Sequence, residues 1–207
     1  MKTLKLTEKD FKKSDGYWSD YMGKTDVSDY DGHVEIEGNL GWVRFDDIMV
    51  SGHLWAGAGT GIKAGTGIKT GWGIKAGEGI EAGEGIEAGT GIEAGWDIEA
   101  GWGIEAGWGI EAGWGIKAGW GIEAGLSISC KTTLKFNYRI FAGICYWREE
   151  LDGTEKKITC GKFEGGEVAY GELVETGLSS EPKDDCTELT INGKKYRLVE
   201  TGEPKCQ

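Results

Sequence analysis

The sequence predicts an all-β protein built around a parallel β-solenoid, a fold in which the chain winds in stacked coils. Isoleucine occupies every sixth position from Ile62 to Ile128, and alanine follows most of these isoleucines two positions later. Glycine provides 38 of the 207 residues and flanks most of the variable positions of the repeat. A constant period with an apolar residue in every unit is typical of a packed repeat and not of a flexible glycine-rich linker.

Two less regular regions precede the repeat. Residues 1–33 are expected to form an irregular N-terminal cap, because a short apolar alternation is followed by a stretch rich in Asp, Gly and Ser. From Val34 onward, apolar residues come in short alternating pairs separated by glycine and aspartate, which indicates strands and tight turns. We therefore expect the β-solenoid to span residues 34–130, with its regular hexads at residues 60–128.

Each hexad is expected to consist of a three-residue strand and a Gly-X-Gly corner. Ile and Ala of the strand face the core and the charged residue between them faces solvent, because side chains alternate along a strand. The X side chain projects from the corner, since a narrow apolar core would not accept unpaired Glu78 or Glu84. Corner glycines are expected to adopt backbone angles closed to other residues. The X position holds Thr60, Thr66, Trp72, Glu78, Glu84, Thr90, Trp96, Trp102, Trp108, Trp114, Trp120 and Leu126.

The period alone leaves the size of the coil open. With about 4.8 Å between coils, three hexads per triangular coil give the twelve hexads a rise of about 20 Å, and two per flattened coil about 29 Å. In both arrangements the charged residues of successive coils align in columns along the surface of the solenoid.

Residues 131–207 are expected to form a small β-rich C-terminal cap or subdomain. The glycine rhythm stops after Leu126, while apolar residues continue to alternate as they do in strands. Two hairpins are predicted in this region, one around Asp152-Gly153 and one with Asn192-Gly193 at its turn, because both dipeptides suit tight β-turns.

The repeat resembles that of the hexapeptide-repeat β-solenoids. The resemblance is carried by aliphatic-acidic pairs such as Ile80-Glu81 and Ile86-Glu87, and by Thr66 and Thr90 at the later position of the unit. It covers about a third of the chain, and the tryptophans depart from it. The resemblance implies a parallel β-solenoid. Many proteins of this kind are acyltransferases with a histidine base beside the coils, but here the repeat contains no histidine.

Composition argues against several classes of function. The formal net charge of −12 opposes direct binding of nucleic acid, because phosphate recognition requires a basic surface. The chain starts without the apolar core of a signal peptide, and no apolar stretch approaches the length of a membrane span. We therefore expect a cytoplasmic protein that contacts neither nucleic acid nor a membrane directly.

No catalytic, metal or cofactor site is predicted. The five cysteines form no CxxC pair, so we expect reduced thiols and no metal site. The Gly-X-Gly strings imitate phosphate loops, but no Gly-Lys-Ser/Thr motif occurs. His33 and His53 have no evident Asp or nucleophile partner in sequence, and we expect both to be packing or surface residues. The chain is therefore predicted not to be an enzyme.

Two surface features of the repeat suggest a binding function. Regularly spaced carboxylates on a rigid rod would imitate the phosphates of nucleic acid and occupy the basic cleft of a nuclease, as anti-CRISPR and anti-restriction proteins of phages and mobile elements do. Exposed tryptophans would anchor that contact or, in the alternative hypothesis, pack one chain against another in a self-assembling structural module. The predicted partner-binding residues are Glu81, Glu87, Glu93, Glu99, Glu105, Glu111, Trp96, Trp102, Trp108, Trp114 and Trp120.

Overall fold

The chain winds into a parallel β-solenoid of about eight turns, which confirms the predicted fold class. A computed structural model describes residues 1–14, 16–145, 148, 150–177, 188–191 and 194–197. Each regular turn contains three short strands, and each strand pairs in parallel with the strand about 18 residues further along the chain. The coil therefore holds three hexads, and the solenoid has three sheets, which we call faces 1, 2 and 3.

From residue 32 to residue 175 the strands of faces 1, 2 and 3 follow one another in turn along the chain. Face 1 comprises β1 (Lys2–Leu6), β4 (Gly32–Ile36), β7 (Leu54–Ala56), β10 (Ile74–Ala76), β13 (Ile92–Ala94), β16 (Ile110–Ala112), β19 (Ile128–Cys130), β22 (Lys157–Cys160) and β25 (Glu172–Glu175). Face 2 comprises β2 (Phe11–Lys13), β3 (Trp18–Tyr21), β5 (Gly41–Phe45), β8 (Thr60–Ala64), β11 (Ile80–Ala82), β14 (Ile98–Ala100), β17 (Ile116–Ala118), β20 (Thr133–Lys135) and β23 (Lys162–Glu164). Face 3 comprises β6 (Ile48–Val50), β9 (Ile68–Thr70), β12 (Ile86–Ala88), β15 (Ile104–Ala106), β18 (Ile122–Ala124), β21 (Arg139–Ala142) and β24 (Glu167–Tyr170).

The core is a stack of isoleucine and alanine side chains. Every hexad isoleucine from Ile62 to Ile128 is at most 2% exposed, and the paired strands place isoleucine directly on isoleucine, as Ile92 lies on Ile74. The residue between Ile and Ala faces outward on every regular strand. The predicted assignment of Ile and Ala to the core and of the charged residue to the surface is therefore confirmed.

The two glycines of a corner differ in how closely a neighbouring coil approaches them. None of the hexad glycines from Gly61 to Gly125 has a positive φ, so the expectation of special backbone angles is wrong. A Cβ on Gly101 would lie 2.0 Å from the carbonyl oxygen of Gly83 in the preceding coil, whereas a Cβ on Gly103 would have its nearest neighbour at 3.5 Å. The glycine after Ala is therefore required by the close approach of successive coils.

The ladders extend beyond the regular hexads at both ends. β1 pairs in parallel with β4, and β2 pairs antiparallel with β3, so residues 1–33 contribute strands to faces 1 and 2. A short 3₁₀ helix at Glu8–Asp10 joins β1 to β2, and the rings of Phe11, Tyr21 and Phe45 pack together at this end. After residue 130, strands β20 to β25 continue all three faces.

One of the two predicted C-terminal hairpins is present. β26 (Glu188–Ile191) and β27 (Lys194–Arg197) pair antiparallel, while the intervening Asn192-Gly193 lies outside the described residues. The prediction of a hairpin at Asp152-Gly153 is wrong. The Asp152 carboxylate does accept backbone N–H bonds from Thr154 and Glu155, but the following strand pairs in parallel with β19 and β25. That turn therefore returns the chain to the solenoid.

The described residues include no helix with the length and apolarity that crossing a membrane requires.

Candidate functional site

The X residues of the hexads lie on three corners of the solenoid, which we name by the faces that they join. From Glu78 onward, a backbone N–H bond links each X residue to the X residue of the preceding coil, as Trp120 is linked to Trp102. Corner 1–2 carries Glu78, Trp96, Trp114 and Thr132. Corner 2–3 carries Thr66, Glu84, Trp102, Trp120 and Tyr138. Corner 3–1 carries Trp72, Thr90, Trp108 and Leu126. Thr60 differs from these residues because it is buried in β8.

The five predicted tryptophans are exposed but do not form one row. Their exposed fractions lie between 52% and 60%. The five side chains are distributed over the three corners. At corner 2–3 the rings of Trp102 and Trp120 stack, with centroids 6.0 Å apart and planes 19° apart. Tyr138 extends this stack by an edge contact, 6.1 Å from Trp120. We call Trp102, Trp120 and Tyr138 the aromatic column.

The six predicted glutamates are likewise divided among the faces. Face 1 carries Glu93 and Glu111, face 2 carries Glu81 and Glu99, and face 3 carries Glu87 and Glu105. Four of them form ion pairs with a lysine of the neighbouring coil, and the expected acidic columns are therefore interrupted by positive charge. These pairs are Lys75–Glu93, Lys63–Glu81, Lys69–Glu87 and Lys117–Glu99.

Face 3 retains negative charge that is not compensated. Its outward column runs from Lys69 through Glu87, Glu105 and Glu123 to Phe141. Lys69 pairs with Glu87 at 2.7 Å, while the ion pairs of the described residues include neither Glu105 nor Glu123. Partial burial and repulsion from Glu123 and Glu87 raise the pKa of the Glu105 carboxyl, against a smaller opposing effect of Lys69.

The aromatic column and the unpaired acids border one open cleft on face 3. Glu105, Glu123, Trp120, Tyr138 and Phe141 line this cleft, which has a volume of about 530 Å³. We call it the face 3 cleft. Arg139 lies at its rim, but its guanidinium donates to the Glu167 carboxylate at 3.0 Å. The cleft thus combines aromatic rings with two carboxylates that form no ion pair within the described residues.

Sequence reasoning found part of this site. Of the predicted residues, the structure brings together Trp102, Trp120 and Glu105. Glu87 lies next to Glu105 on face 3 but outside the cleft, and the other seven lie on other faces and corners. Glu123, Tyr138 and Phe141 were missed. Each lies 18 residues after a residue of the same column, and knowledge of the coil size would have identified them.

The two histidines lie away from the face 3 cleft and pack against one another. Their ring centroids are 4.1 Å apart, the backbone N–H of His53 donates to His33 Nδ1, and His33 contacts the edge of Trp72. Burial lowers the pKa of His33, and the neighbouring His53 and the terminal amino group lower it further. This stack belongs to the first coils of the solenoid.

Three of the cysteines are buried free thiols in the described chain. Burial raises the pKa of Cys130 to about 12 and that of Cys160 to about 11, which disfavours the reactive thiolate. Cys145 is also buried, and Cys186 and Cys206 lie outside the described residues. Within the described ranges, no group of three His, Cys, Asp or Glu side chains is placed to hold a metal ion.

Comparison with protein-family models, with curated proteins and with solved structures finds no match.

The arrangement of charges predicts that a Glu→Gln substitution has opposite effects on the melting temperature on face 3 and on face 2. Glu105→Gln relieves repulsion and should raise the melting temperature at pH 7 by about 1 to 2 °C, or about 0.5 kcal/mol, since solvent weakens interactions of an exposed side chain. Glu99→Gln occupies the same position of its hexad on face 2, and it should lower the melting temperature by a similar amount because Lys117 loses its partner.

The effect of Glu105→Gln should also depend on pH. The raised pKa means that the folded chain binds a proton at Glu105 more tightly than the unfolded chain does. Ionised Glu105 therefore destabilises the fold above its folded pKa, and this cost disappears as the pH falls below the ordinary value of 4.5. Calorimetry at pH 7 and pH 4 checks this prediction. A difference between wild type and Glu105→Gln that persists at pH 4 would contradict it.

Proposed function

We propose that this chain is a non-enzymatic binding protein that holds a basic protein surface against face 3 and the adjoining corner 2–3. Its partner is a nucleic-acid-handling enzyme, which it inhibits by occupying the basic cleft that receives the nucleic acid. The observation that carries this proposal is the placement of unpaired Glu105 and Glu123 beside the exposed aromatic column. Carboxylates supply attraction for basic groups, and exposed aromatic rings supply contact area.

The pairing of charges narrows the set of acids that serves this contact. Glu81, Glu87, Glu93 and Glu99 already interact with lysines, so a partner would have to compete for them. Glu105, Glu111 and Glu123 form no ion pair in the described part of the chain, and of these only Glu105 and Glu123 lie beside the aromatic rings of the face 3 cleft. The repulsion between Glu105 and Glu123 is relieved when a cation binds. The net charge of −12 adds long-range attraction to any basic cleft.

A DNA-cleavage assay tests the proposal. Wild-type protein is titrated into nucleases that hold DNA in a basic cleft, restriction and CRISPR nucleases included, and inhibition of at least one should be relieved by excess DNA. The double variant Glu105→Gln/Glu123→Gln should raise the half-inhibitory concentration about tenfold or more. The matched variant Glu81→Gln/Glu99→Gln removes equal charge from face 2 and should change it less than about twofold.

Three outcomes would count against the proposal. Unchanged inhibition by the face 3 variant would remove Glu105 and Glu123 from the contact. Equal loss in both variants would mean that net charge, and not face 3, drives binding. A wild type that inhibits no nuclease would exclude the assigned class of partner.

Self-association through tryptophan is a second candidate, favoured by the stacked and exposed rings of Trp102 and Trp120. Light scattering over a range of concentrations separates it from the first. A mass that rises with concentration in wild type and not in Trp102→Ala/Trp120→Ala would support association through this corner. The matched variant Trp96→Ala/Trp114→Ala removes two tryptophans from corner 1–2. A wild type that stays monomeric would exclude self-assembly.

A further inference from the structure

The molecule already contains a cation held jointly by an aromatic ring and a carboxylate. On face 2, the Lys63 ammonium lies over the Trp18 ring, 4.8 Å from its centroid, and forms an ion pair with Glu81. Such a pair of contacts attracts a cation both through the negative face of the ring and through the carboxylate charge.

The face 3 cleft holds the same kinds of group, and the arginine that lines its rim, Arg139, is paired with Glu167. Trp120 and Tyr138 form one side, and Glu105 and Glu123 lie on the strands beside them. Lys69 forms an ion pair with Glu87 in this column. Charge complementarity therefore favours a cationic side chain with a flat apolar surface as the ligand of this cleft.

We propose that the face 3 cleft binds arginine side chains of an extended segment of the partner protein. Each guanidinium plane stacks on the ring of Trp120 or Tyr138 and donates hydrogen bonds to Glu105 or Glu123. This inference rests on the proposed function only in taking the partner to be a basic protein. Arginine fits better than lysine, because its planar guanidinium stacks on aromatic rings and binds a carboxylate through two parallel hydrogen bonds.

A second copy of this chain is a poorer source of such arginines. Three of the four arginines in the sequence, Arg44, Arg139 and Arg148, each form an ion pair with an acid of their own chain. An extended segment suits the site because the two carboxylates lie on adjacent strands, about 4.8 Å apart along the solenoid axis. Two arginines at alternate positions of a strand are about 6.8 Å apart, a difference that their long side chains accommodate.

Peptide titration of the full-length protein tests this inference. Three synthetic peptides share a glycine-serine background and carry three arginines, three lysines or three citrullines at alternate positions, and binding is measured by calorimetry at low salt. The arginine peptide should bind about tenfold more tightly than the lysine peptide. The citrulline peptide, which keeps the shape of arginine without its charge, should not bind measurably.

Variants locate the binding. Glu105→Gln/Glu123→Gln should weaken arginine-peptide binding about tenfold, while Glu81→Gln/Glu99→Gln should leave it within about twofold. Trp120→Ala should remove the preference for arginine over lysine, and Trp96→Ala on corner 1–2 should not. Circular dichroism verifies that each variant keeps the wild-type fold.

The possible results separate this inference from the proposed function. Equal affinity for the arginine and lysine peptides, or equal losses in the face 2 and face 3 variants, would overturn the arginine site even if a nuclease is inhibited. Selective arginine-peptide binding that depends on Glu105, Glu123 and Trp120 would support the site even if no nuclease is inhibited.

Discussion

Gly101→Ala should lower the free energy of unfolding by about 3 kcal/mol, while Gly103→Ala at the other side of the same corner should change it by less than about 1 kcal/mol. The new methyl group at position 101 would meet the carbonyl oxygen of Gly83 at 2.0 Å, closer than any van der Waals contact allows. The methyl carbon is bonded directly to the backbone of one coil and the oxygen belongs to the backbone of the coil before it, so relief requires the coils to move apart. At position 103 the nearest atom is the Gly121 carbonyl oxygen at 3.5 Å, an ordinary contact.

Urea unfolding followed by circular dichroism measures both effects on the same scale. Gly101→Ala should shift the midpoint strongly with an unchanged slope, and Gly103→Ala should stay close to wild type or above it, because alanine restricts the unfolded chain. The hexad position that Gly103 occupies already holds Asp97 and Ser127 in other hexads. Equal destabilisation by both substitutions would contradict the separate roles of the two glycines.

Ile116→Ala should lower the free energy of unfolding by about 2 to 5 kcal/mol, because Ile116 is 1% exposed and its loss leaves a cavity in the stack. The strands on either side place Ile98 and Leu134 directly against it, so the cavity affects three coils. Trp114→Thr removes a larger side chain two positions earlier and should cost less than half as much. Trp114 is 53% exposed, and threonine occupies the same position of the hexad at Thr66 and Thr90.

The same unfolding experiment compares the two substitutions. It uses circular dichroism rather than fluorescence because the second variant lacks a tryptophan. A greater loss from Trp114→Thr than from Ile116→Ala would mean that the tryptophan, and not the isoleucine, holds the coils together. That result would contradict the assignment of inward and outward positions.

The architecture was predictable because one residue type marks the core in every unit. A six-residue period places isoleucine inward at each strand, and alanine two positions later confirms the alternation. The role of the glycines was not predictable from propensity, since glycine is required at Gly101 by a neighbouring coil and not by its own dihedral angles. Contacts between coils cannot be predicted until the coil size is known.

The size of the coil was the main gap in the sequence argument, although the charges contained a signal for it. A coil of two hexads would stack Lys63 on Lys75, which places like charges together. A coil of three hexads stacks Lys63 on Glu81, and the structure pairs them. The same spacing relates Lys69 to Glu87, but a coil of two hexads would also stack Lys69 on Glu81, and the coil of three hexads stacks Lys117 on Lys135. The charges therefore favour three hexads at Lys63 alone.

The functional residues were only partly predictable for the same reason. Without the coil size, the acids and tryptophans of successive hexads read as single rows, whereas each row is distributed over three faces or corners. The difference between Glu99 and Glu105 illustrates the consequence. Their hexads are nearly identical in sequence, but Glu99 lies beside Lys117 and Glu105 lies beside Glu123. Only the three-dimensional neighbours separate a paired acid from an unpaired one.

Carboxylate footprinting of a complex with an inhibited nuclease tests the central claim most directly. The free and bound protein are labelled with a carbodiimide and an amine, and the modification of each glutamate is measured by mass spectrometry. Nuclease binding should protect Glu105 and Glu123 on face 3 and leave Glu81 and Glu99 on face 2 as reactive as in the free protein. Protection of the face 2 acids with continued labelling of Glu105 and Glu123 would contradict that claim.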